Sequence, residues 1–242
     1  GSPATNHATS SSAWIDVLGG DGGYTAIDPL STSNWYASNP DIPPGGLGIQ
    51  LCTQGINCNT SRFGFVATSN DVGGDDGGFY FPYILDSGST SAMLVGTCRV
   101  WRGPRTGGAF TALSPNFETL GWGTCTGDEV NQVRALATAG PAQSSSGSSV
   151  VYATTSGLGP IEGPLDTPGG RVWATTDSSA GASSFSDVTD NGPQGNINPY
   201  QFPISSVAAD PSDPTGKTAY VTVMGFTGGN GHVWKTTSAG AT

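Results

Sequence analysis

Three aspartates in one glycine-rich stretch are the side chains of this sequence that could act together on a cation. Asp71, Asp75 and Asp76 lie in NDVGGDDGGFYFPYILD, which starts at Asn70. Calcium is bound by several oxygen ligands that a flexible loop folds around it, and aspartates between glycines meet that requirement. The spacing matches neither an EF-hand loop nor the nonapeptide calcium repeat. A calcium site and a solvated turn are therefore the two interpretations, and no other cofactor is expected.

The cysteines are the next group with chemistry of their own, and they fall at positions 52, 58, 98 and 125. None forms a C-x-x-C pair and the chain has only two histidines, which argues against a zinc site. The simplest pairing is Cys52–Cys58, across the short loop CTQGINC, with Cys98–Cys125, although four cysteines allow three pairings. Disulfides predict an oxidising compartment, so we expect a secreted or cell-surface protein.

Charge and hydropathy limit the classes of partner. The net charge is −10, from eight basic and eighteen acidic residues. A chain this acidic repels a phosphate backbone and an anionic lipid surface, so nucleic acid is not an expected partner. No apolar run is long enough for a membrane span, and membrane insertion is not expected either.

The elements that must position these residues have the pattern of short strands. Runs rich in β-branched and aromatic residues, such as SVVYATT, TAYVTVMGF and AMLVGTCRVW, lie between clusters of Gly, Pro, Asn and Asp. This pattern is typical of strands joined by turns. Only TGDEVNQVRALATAG has spacing that suits a helix. The sequence therefore predicts an all-β fold.

A repeated phrase indicates which all-β fold this is. A Val-Trp pair, polar residues and a Gly-rich turn recur around Trp101, Trp173 and Trp234. Two apolar runs around an Asp-containing turn come before them, as in YTAIDPLSTSNWYAS from Tyr24. Repeats of roughly 50 to 70 residues, each with three or four short strands, are the signature of β-propeller blades. We expect about four blades of four antiparallel strands, complete or part of a ring of six to eight.

The repeat also predicts the order of strands within a blade. The strands around the Asp turn are the inner pair, the Val-Trp strand is third, and the next apolar run is outermost. The three repeated tryptophans are expected to pack between neighbouring sheets rather than to stack on a ligand. The predicted blade ranges are about 19–80, 81–127, 128–195 and 196–242.

Two segments lie outside this pattern of blades. Residues 1–12 are predicted to be a disordered or linker lead-in. AWIDVL, at 13–18, is predicted to be an outer strand that either closes a ring of four blades or marks a cut through a larger ring. The stretch from Asn39 to Phe63 is predicted to be an insertion between blade strands, which carries binding function or packs on the blade beneath.

The phrases TTDSSAGASSF and TTSAGAT resemble the Asp-box, or BNR, turn, Ser/Thr-x-Asp-x-Gly-x-Thr-Trp. That turn recurs in sialidases, sortilin-type receptors and xyloglucan-degrading hydrolases. Asp177 stands at the aspartate of the box, while Ser238 or Ala239 replaces it in the last unit. GGDGGYTAIDP is similar to the blade entry of bacterial secreted propellers of this type. The resemblance implies a propeller fold and a structural role for Asp177, which would tie a hairpin turn.

The resemblance also implies two activities to be weighed. The xyloglucan-active hydrolases use two aspartates from different blades or propellers, and Asp21 and Asp76 are the candidates for such a pair here. Sialidases need three arginines around a carboxylate. Arg99, Arg102 and Arg105 crowd into RVWRGPR, where adjacent strand positions face opposite sides, so sialidase activity is not expected. Further acids expected at a blade top or the axis are Asp28, Asp75, Glu118, Asp128 and Glu129.

Together these features predict an extracellular β-propeller that acts as a binding or structural module. Its partner would be a glycan or a protein at the loop surface, or another copy of itself. The alternative is a glycoside hydrolase domain of the Asp-box propeller type that uses a carboxylate pair. A structural subunit of an extracellular assembly is a third reading, because an unclosed propeller exposes strand edges that pair with other chains.

Overall fold

The computed structural model describes residues 2–5, 9–10, 14–40, 46–117, 125, 131–143, 147–157, 169–192, 195–225 and 231–241. Within these residues the protein is all-β, with five antiparallel sheets. Four short 3-10 helices, Gly55–Asn57, Thr60–Arg62, Ser69–Val72 and Ser178–Ser184, lie between strands. None of the described helices has the length and hydropathy to cross a membrane.

Four of the sheets follow one another along the chain, and we call them blades 1 to 4. Blade 1 consists of β3 (Thr25–Asp28), β4 (Ser31–Ser38), β5 (Gly48–Cys52) and β6 (Gly64–Thr68). Blade 2 consists of β7 (Tyr83–Leu85), β8 (Ala92–Gly96), β9 (Val100–Pro104) and β10 (Thr111–Ala112). Blade 3 consists of β11 (Val133–Ala142), β12 (Ser148–Thr155), β13 (Val172–Thr175) and β14 (Ser186–Asp187). Blade 4 consists of β15 (Ile204–Ala209), β16 (Ala219–Val223) and β17 (Val233–Thr236).

Every blade is a simple antiparallel meander, because its strands lie in the sheet in chain order. The predicted strand order is confirmed: each Asp turn or its counterpart joins the first two strands, and the Val-Trp strands β9, β13 and β17 are third. Their tryptophans share one register, with Trp101 opposite Val95, Trp173 opposite Ala153 and Trp234 opposite Val221. Successive meanders of this kind are β-propeller blades, so the predicted fold class is confirmed.

Neighbouring blades pack face to face around separate apolar cores. Tyr36, Ile49 and Met93 belong to the core between blades 1 and 2. Leu94 and Val151 belong to the core between blades 2 and 3. Tyr152, Val172, Val207 and Val221 belong to the core between blades 3 and 4. The innermost strands also contact one another in succession, β3 with β7, β7 with β11 and β11 with β15. The starts of these strands therefore come together at one end of the molecule.

The N-terminal segment differs from its prediction. Within 1–12, predicted to be a disordered or linker lead-in, Ser2–Ala4 forms a strand, β1. It pairs with β2 (Ile15–Leu18), the strand predicted at 13–18. This two-stranded sheet is separate from the blades. Of the two alternatives predicted for β2, the closure of a ring of four by pairing with blade 4 is not seen in the described residues. The physical reason is that Val17 is buried against Cys52 and Cys58 at the outside of blade 1.

Two further segments also differ from their predictions. The stretch from Asn39 to Phe63 is not an insertion throughout, because it contains β5, the third strand of blade 1. Ile49 on β5 is fully buried in the core with blade 2, which gives this strand its place. From Val133 onward the helix-like stretch lies in the ten-residue strand β11, whose pairing with β12 overrides the local helical preference of its alanines. Both predicted disulfides, Cys52–Cys58 and Cys98–Cys125, are present.

Candidate functional site

The end of the molecule where the four innermost strands start holds a depression of about 400 Å³. All four blades contribute to its wall: 22–24 from the entry of blade 1, Tyr80 from blade 2, Arg134 from blade 3, and Ser205 and Met224 from blade 4. We call it the axial depression. Its wall combines aromatic rings, an aliphatic thioether and hydrogen-bonding groups, which is the composition of a small-ligand site.

Glycines and tyrosines fix the geometry of this wall. A Cβ at Gly23 would lie 2.3 Å from Ser38 Oγ, so only glycine lets the entry of blade 1 lie against the end of β4. The Tyr24 hydroxyl donates to the Arg134 carbonyl at 3.2 Å, which links blade 1 to blade 3. The Tyr83 hydroxyl donates to the Tyr24 carbonyl at 3.1 Å. Burial raises the pKa of Tyr83, so its hydroxyl stays protonated and continues to donate.

An exposed aromatic pair stands at the rim of the depression. The rings of Phe79 and Tyr80 meet edge to face, with centroids 4.7 Å apart and planes at 81°. Both side chains are about half exposed. The chain before them is held close to the core, because a Cβ at Gly77 would lie 2.8 Å from the Phe81 ring. The Phe79–Tyr80 pair is thus held in position by close packing of the chain before it.

The acidic stretch anchors this aromatic loop through hydrogen bonds and an ion pair. Asp75 accepts hydrogen bonds from Thr97 Oγ1 at 2.7 Å and from Trp101 Nε1 at 3.1 Å, and it pairs with Arg99. Asp71 accepts from the Thr68 amide and hydroxyl, both at 2.8 Å, and so caps the helix Ser69–Val72.

The third aspartate of the stretch is tied through its backbone. The Asp76 amide donates to the Cys125 carbonyl at 2.8 Å, beside the Cys98–Cys125 disulfide. In the described part of the chain no group of three His, Cys, Asp or Glu side chains is arranged to hold a metal. The calcium interpretation of Asp71, Asp75 and Asp76 therefore gains no support from this geometry.

The three arginines of RVWRGPR are each paired with a different buried aspartate. Arg99 pairs with Asp75, Arg102 Nη2 lies 3.1 Å from Asp86 Oδ2, and Arg105 Nη1 lies 3.2 Å from Asp28 Oδ1. They point to separate places, so they cannot grip one carboxylate ligand. Sequence reasoning missed these pairs. The available signal was the aspartate of the inner hairpin turn, which occurs in blade 1 as Asp28 and in blade 2 as Asp86.

One of these pairs joins two blades, and both members of a second pair bond to the next blade. Arg105 belongs to blade 2 and reaches Asp28 at the inner turn of blade 1. Asp86, at the inner turn of blade 2, accepts from Ser148 of blade 3 through the hydroxyl at 2.5 Å and the amide at 3.1 Å. Arg102 also crosses to blade 3, where its Nη1 donates to Ser178 Oγ at 2.9 Å. Both aspartates are buried and therefore unsuited to act on a ligand in solvent.

The remaining predicted site residues lie as follows. Asp21 is exposed and directly precedes the lining glycine Gly22. Asp76 contributes the backbone contact to Cys125, and the described lining of the depression contains no carboxylate. The structure therefore does not bring Asp21 and Asp76 together in this wall. Three other acids named above lie outside the described residues: Glu118, Asp128 and Glu129.

The residues predicted to be structural take part in packing and turns. Trp101 is buried between blades 1 and 2. Trp173 stacks on Phe117, with centroids 4.6 Å apart and planes at 17°, and Trp234 packs against the core between blades 3 and 4. Asp177 caps the helix Ser178–Ser184, and hydrogen bonds from Ser179 and Gln143 lower the pKa of its carboxyl.

The similarity of this chain to known proteins is one of structure rather than of sequence. No protein-family model matches the chain, and no curated protein matches it. Among solved structures, the crystal structure of a GH74 enzyme from Niastella koreensis aligns with 88% of this chain and 36% of that chain, at 17% identity and a TM-score of 0.37. The chain thus spans about a third of that enzyme's length. The fold assignment rests on the sheets of the protein itself.

Proposed function

We propose that this protein is an extracytoplasmic binding module and that its axial depression holds a glycan. The observation that carries the proposal is the exposed Phe79–Tyr80 pair at the rim of a depression to which all four blades contribute. Exposed apolar patches mark interaction surfaces, and ligand sites are concave surfaces lined largely by hydrophobic and aromatic side chains.

The chemistry of the wall suits a sugar chain. The C–H faces of a sugar ring pack on aromatic rings, and Tyr80, Tyr24 and Phe79 offer such rings with little conformational entropy to lose. Arg134 and Ser205 supply hydrogen-bonding groups for hydroxyls in the same wall. Because the chain carries a net charge of −10, an uncharged glycan is a better ligand than a polyanion.

The compartment follows from the cysteines. The disulfides Cys52–Cys58 and Cys98–Cys125 are compatible with an oxidising environment outside the cytoplasm. Extracellular polysaccharides would be within reach of a secreted or surface-bound module. We therefore propose a polysaccharide, rather than a free cytoplasmic sugar, as the ligand class.

Binding is favoured over hydrolysis by the contents of the wall. Glycoside hydrolases place two carboxyl groups roughly 5 to 10 Å apart across the scissile bond. The described lining offers rings, a cation and a hydroxyl but no such pair. Asp21, at the edge of the depression, is the acid on which the hydrolase alternative would depend.

The test is retention on a panel of immobilised plant, fungal and bacterial polysaccharides, followed by a titration with the one that binds. We expect Tyr80→Ala to weaken binding at least tenfold. Tyr220→Ala, an exposed tyrosine on blade 4 outside the depression, should leave binding unchanged.

Two results would contradict the proposal. One is that the folded protein is retained by no polysaccharide in the panel, or is retained equally by both variants. The other is release of new reducing ends that Asp21→Asn abolishes, because that outcome would establish the hydrolase alternative.

A further inference from the structure

The four blades begin in the same way, so their entry segments correspond position by position. In each blade the residue before the innermost strand accepts a hydrogen bond, through its carbonyl, from an amide at the end of the second strand. The four acceptors are Tyr24, Pro82, Gln132 and Pro203, and the N–O distances are 2.9 to 3.0 Å. This bond sets the entry segments of all four blades in one register.

In this register blades 2 and 4 share an entry sequence. FYFPY from Phe79 corresponds to YQFPI from Tyr200. The central rings of the two segments turn inward: Phe81 is buried, and Phe202 packs against the core between blades 3 and 4. The first rings do not, because Phe79 is 46% exposed and Tyr200 is 48% exposed. Both blades thus present an exposed aromatic ring at the same position of the entry segment.

A buried asparagine holds the entry segment of blade 4. Asn198 Nδ2 donates to the Gly170 carbonyl at 2.8 Å and to the Phe202 carbonyl at 2.7 Å. Asn198 Oδ1 accepts from the Phe202 amide at 3.0 Å. Within this loop Gln201 has a φ of 58°, a conformation that residues with a side chain adopt only where the surrounding structure holds them in it. The exposed ring next to Gln201 is therefore carried on a fixed backbone.

This ring lies beside the blade 4 wall of the axial depression. Met224, which lines the depression, donates its amide to the Pro203 carbonyl at 3.0 Å. A Cβ at Gly225, the next residue, would lie 2.6 Å from the Phe202 ring, so the entry segment packs closely on this wall. The centroid of the Tyr200 ring lies 6.4 Å from that of Phe202.

The depression is thus bordered by two aromatic platforms, the Phe79–Tyr80 pair on blade 2 and the Tyr200 ring on blade 4. Between them the wall includes Gly22 and Gly23, whose lack of side chains leaves the backbone open to a ligand. Hydrogen-bonding groups from blades 3 and 4 lie in the same wall. Rings on both sides of a polar centre suit a ligand that extends across it.

We infer that Tyr200 is a second sugar-stacking platform and that the site takes an extended segment of a polysaccharide rather than a single sugar. This inference rests on the proposed glycan site and deepens it. A chain that packs on Phe79 and Tyr80 at one side of the depression reaches Tyr200 at the other. Because the second contact forms within a chain that is already bound, affinity rises with chain length until both platforms are covered.

The experiment uses a graded series of oligosaccharides, from the disaccharide upward, cut from the polysaccharide that the protein retains. In calorimetric titrations the affinity of the unmodified chain should rise by about tenfold or more along the series and then level off. Tyr200→Ala should flatten this rise, because it removes the second platform from an exposed position. Tyr220→Ala, an exposed tyrosine of the same blade outside the depression, is the matched control and should keep the rise.

Tyr80→Ala separates this inference from the proposed function, since it should weaken binding at every chain length. Two results for Tyr200→Ala, with Tyr80→Ala still impaired, would overturn the inference and leave the proposed site standing. One is that the full rise with chain length is kept, and the other is an equal loss of affinity at every length. An affinity of the unmodified chain that does not increase with length would also overturn it. Retention by no polysaccharide would overturn both proposals.

Discussion

At the residue scale, charged side chains in this fold form buried ion pairs, as Arg99, Arg102 and Arg105 show. A buried ion pair adds little net stability by itself, because desolvation offsets the attraction, but removing one partner leaves an uncompensated buried charge. Each of the three arginines meets a different aspartate. The Arg105–Asp28 pair bridges blades 2 and 1, and Arg102 and Asp86 of blade 2 both bond to Ser148 of blade 3. The chain has only eight basic residues, and three are used here.

The first prediction concerns the pair between Arg102 and Asp86. Arg102→Met should lower the free energy of unfolding by about 3 to 5 kcal/mol, since Asp86 stays buried without its cation. The control is Arg171→Met, which removes a more exposed pair with Asp187 at 3.7 Å and should cost less than about 1 kcal/mol. Urea unfolding of both variants measures the difference. Equal losses in the free energy of unfolding would show that Arg102 does not stabilise the contact between blades 2 and 3.

The second prediction concerns Tyr152, whose hydroxyl donates to the Gly216 carbonyl of blade 4 at 2.8 Å. Burial, and then the negative charge of Asp213, raise the pKa of Tyr152 to about 12. An unfolded tyrosine titrates near pH 10, so between about pH 10 and 12 the folded state binds more protons and stability falls as pH rises. Compared with Tyr152→Phe, the unmodified chain should lose stability in that window and not below it. Parallel stability profiles of the two proteins above pH 10 would contradict this account.

At the scale of elements, the two disulfides differ in the length of chain they close and in the loop they hold. Cys52–Cys58 closes a short loop, with a sequence separation of 6, whereas Cys98–Cys125 spans 27 residues. Cys98 lies between Thr97 and Arg99, which both bind Asp75. Cys125 accepts the Asp76 amide. The longer disulfide therefore holds the loop that leads to Phe79 and Tyr80.

The third prediction follows from that arrangement. Replacing both Cys98 and Cys125 by Ser should weaken polysaccharide binding several-fold and increase amide hydrogen exchange over 75–80. Replacing both Cys52 and Cys58 by Ser should leave binding and this exchange unchanged, because that loop lies on the outside of blade 1. Binding titrations and hydrogen exchange on the two double variants make the comparison. Similar losses in both would indicate a general loss of stability instead of a local anchor.

The same scale shows what the sequence predicts and what it does not. The Val-Trp phrases locate the third strands of blades 2, 3 and 4, because alternation and turn residues are local signals. The third strand of blade 1, β5, lacks the Val-Trp phrase. It follows a stretch rich in Pro and Gly, so the sequence does not indicate it as a strand. β1 is too short to show an alternation of apolar and polar residues. The sequence predicts its partner β2 as an outer strand of a blade instead. The Arg105–Asp28 pair joins residues 77 positions apart, so the sequence shows the aspartate at its turn but not which arginine it meets.

At the scale of the whole molecule, the four blades follow one another so that their inner strands start around one depression. The depression could not be predicted from the sequence, since its wall is assembled from residues between Gly22 and Met224. The aromatic run FYF was visible, but its position at the rim depends on the packing of blades 1 to 3. The molecule thus offers at this end one concave surface to which all four blades contribute.

The measurement that tests the central claim most directly is hydroxyl-radical footprinting with and without the bound polysaccharide, at a concentration where the chain is monomeric. We predict that oxidation of Phe79, Tyr80 and Met224 falls several-fold when the glycan binds. Oxidation of Phe65 and Tyr220, which are exposed elsewhere, should not change. Protection of Phe65 or Tyr220, with Phe79, Tyr80 and Met224 still oxidised, would place the glycan outside the axial depression and contradict the account.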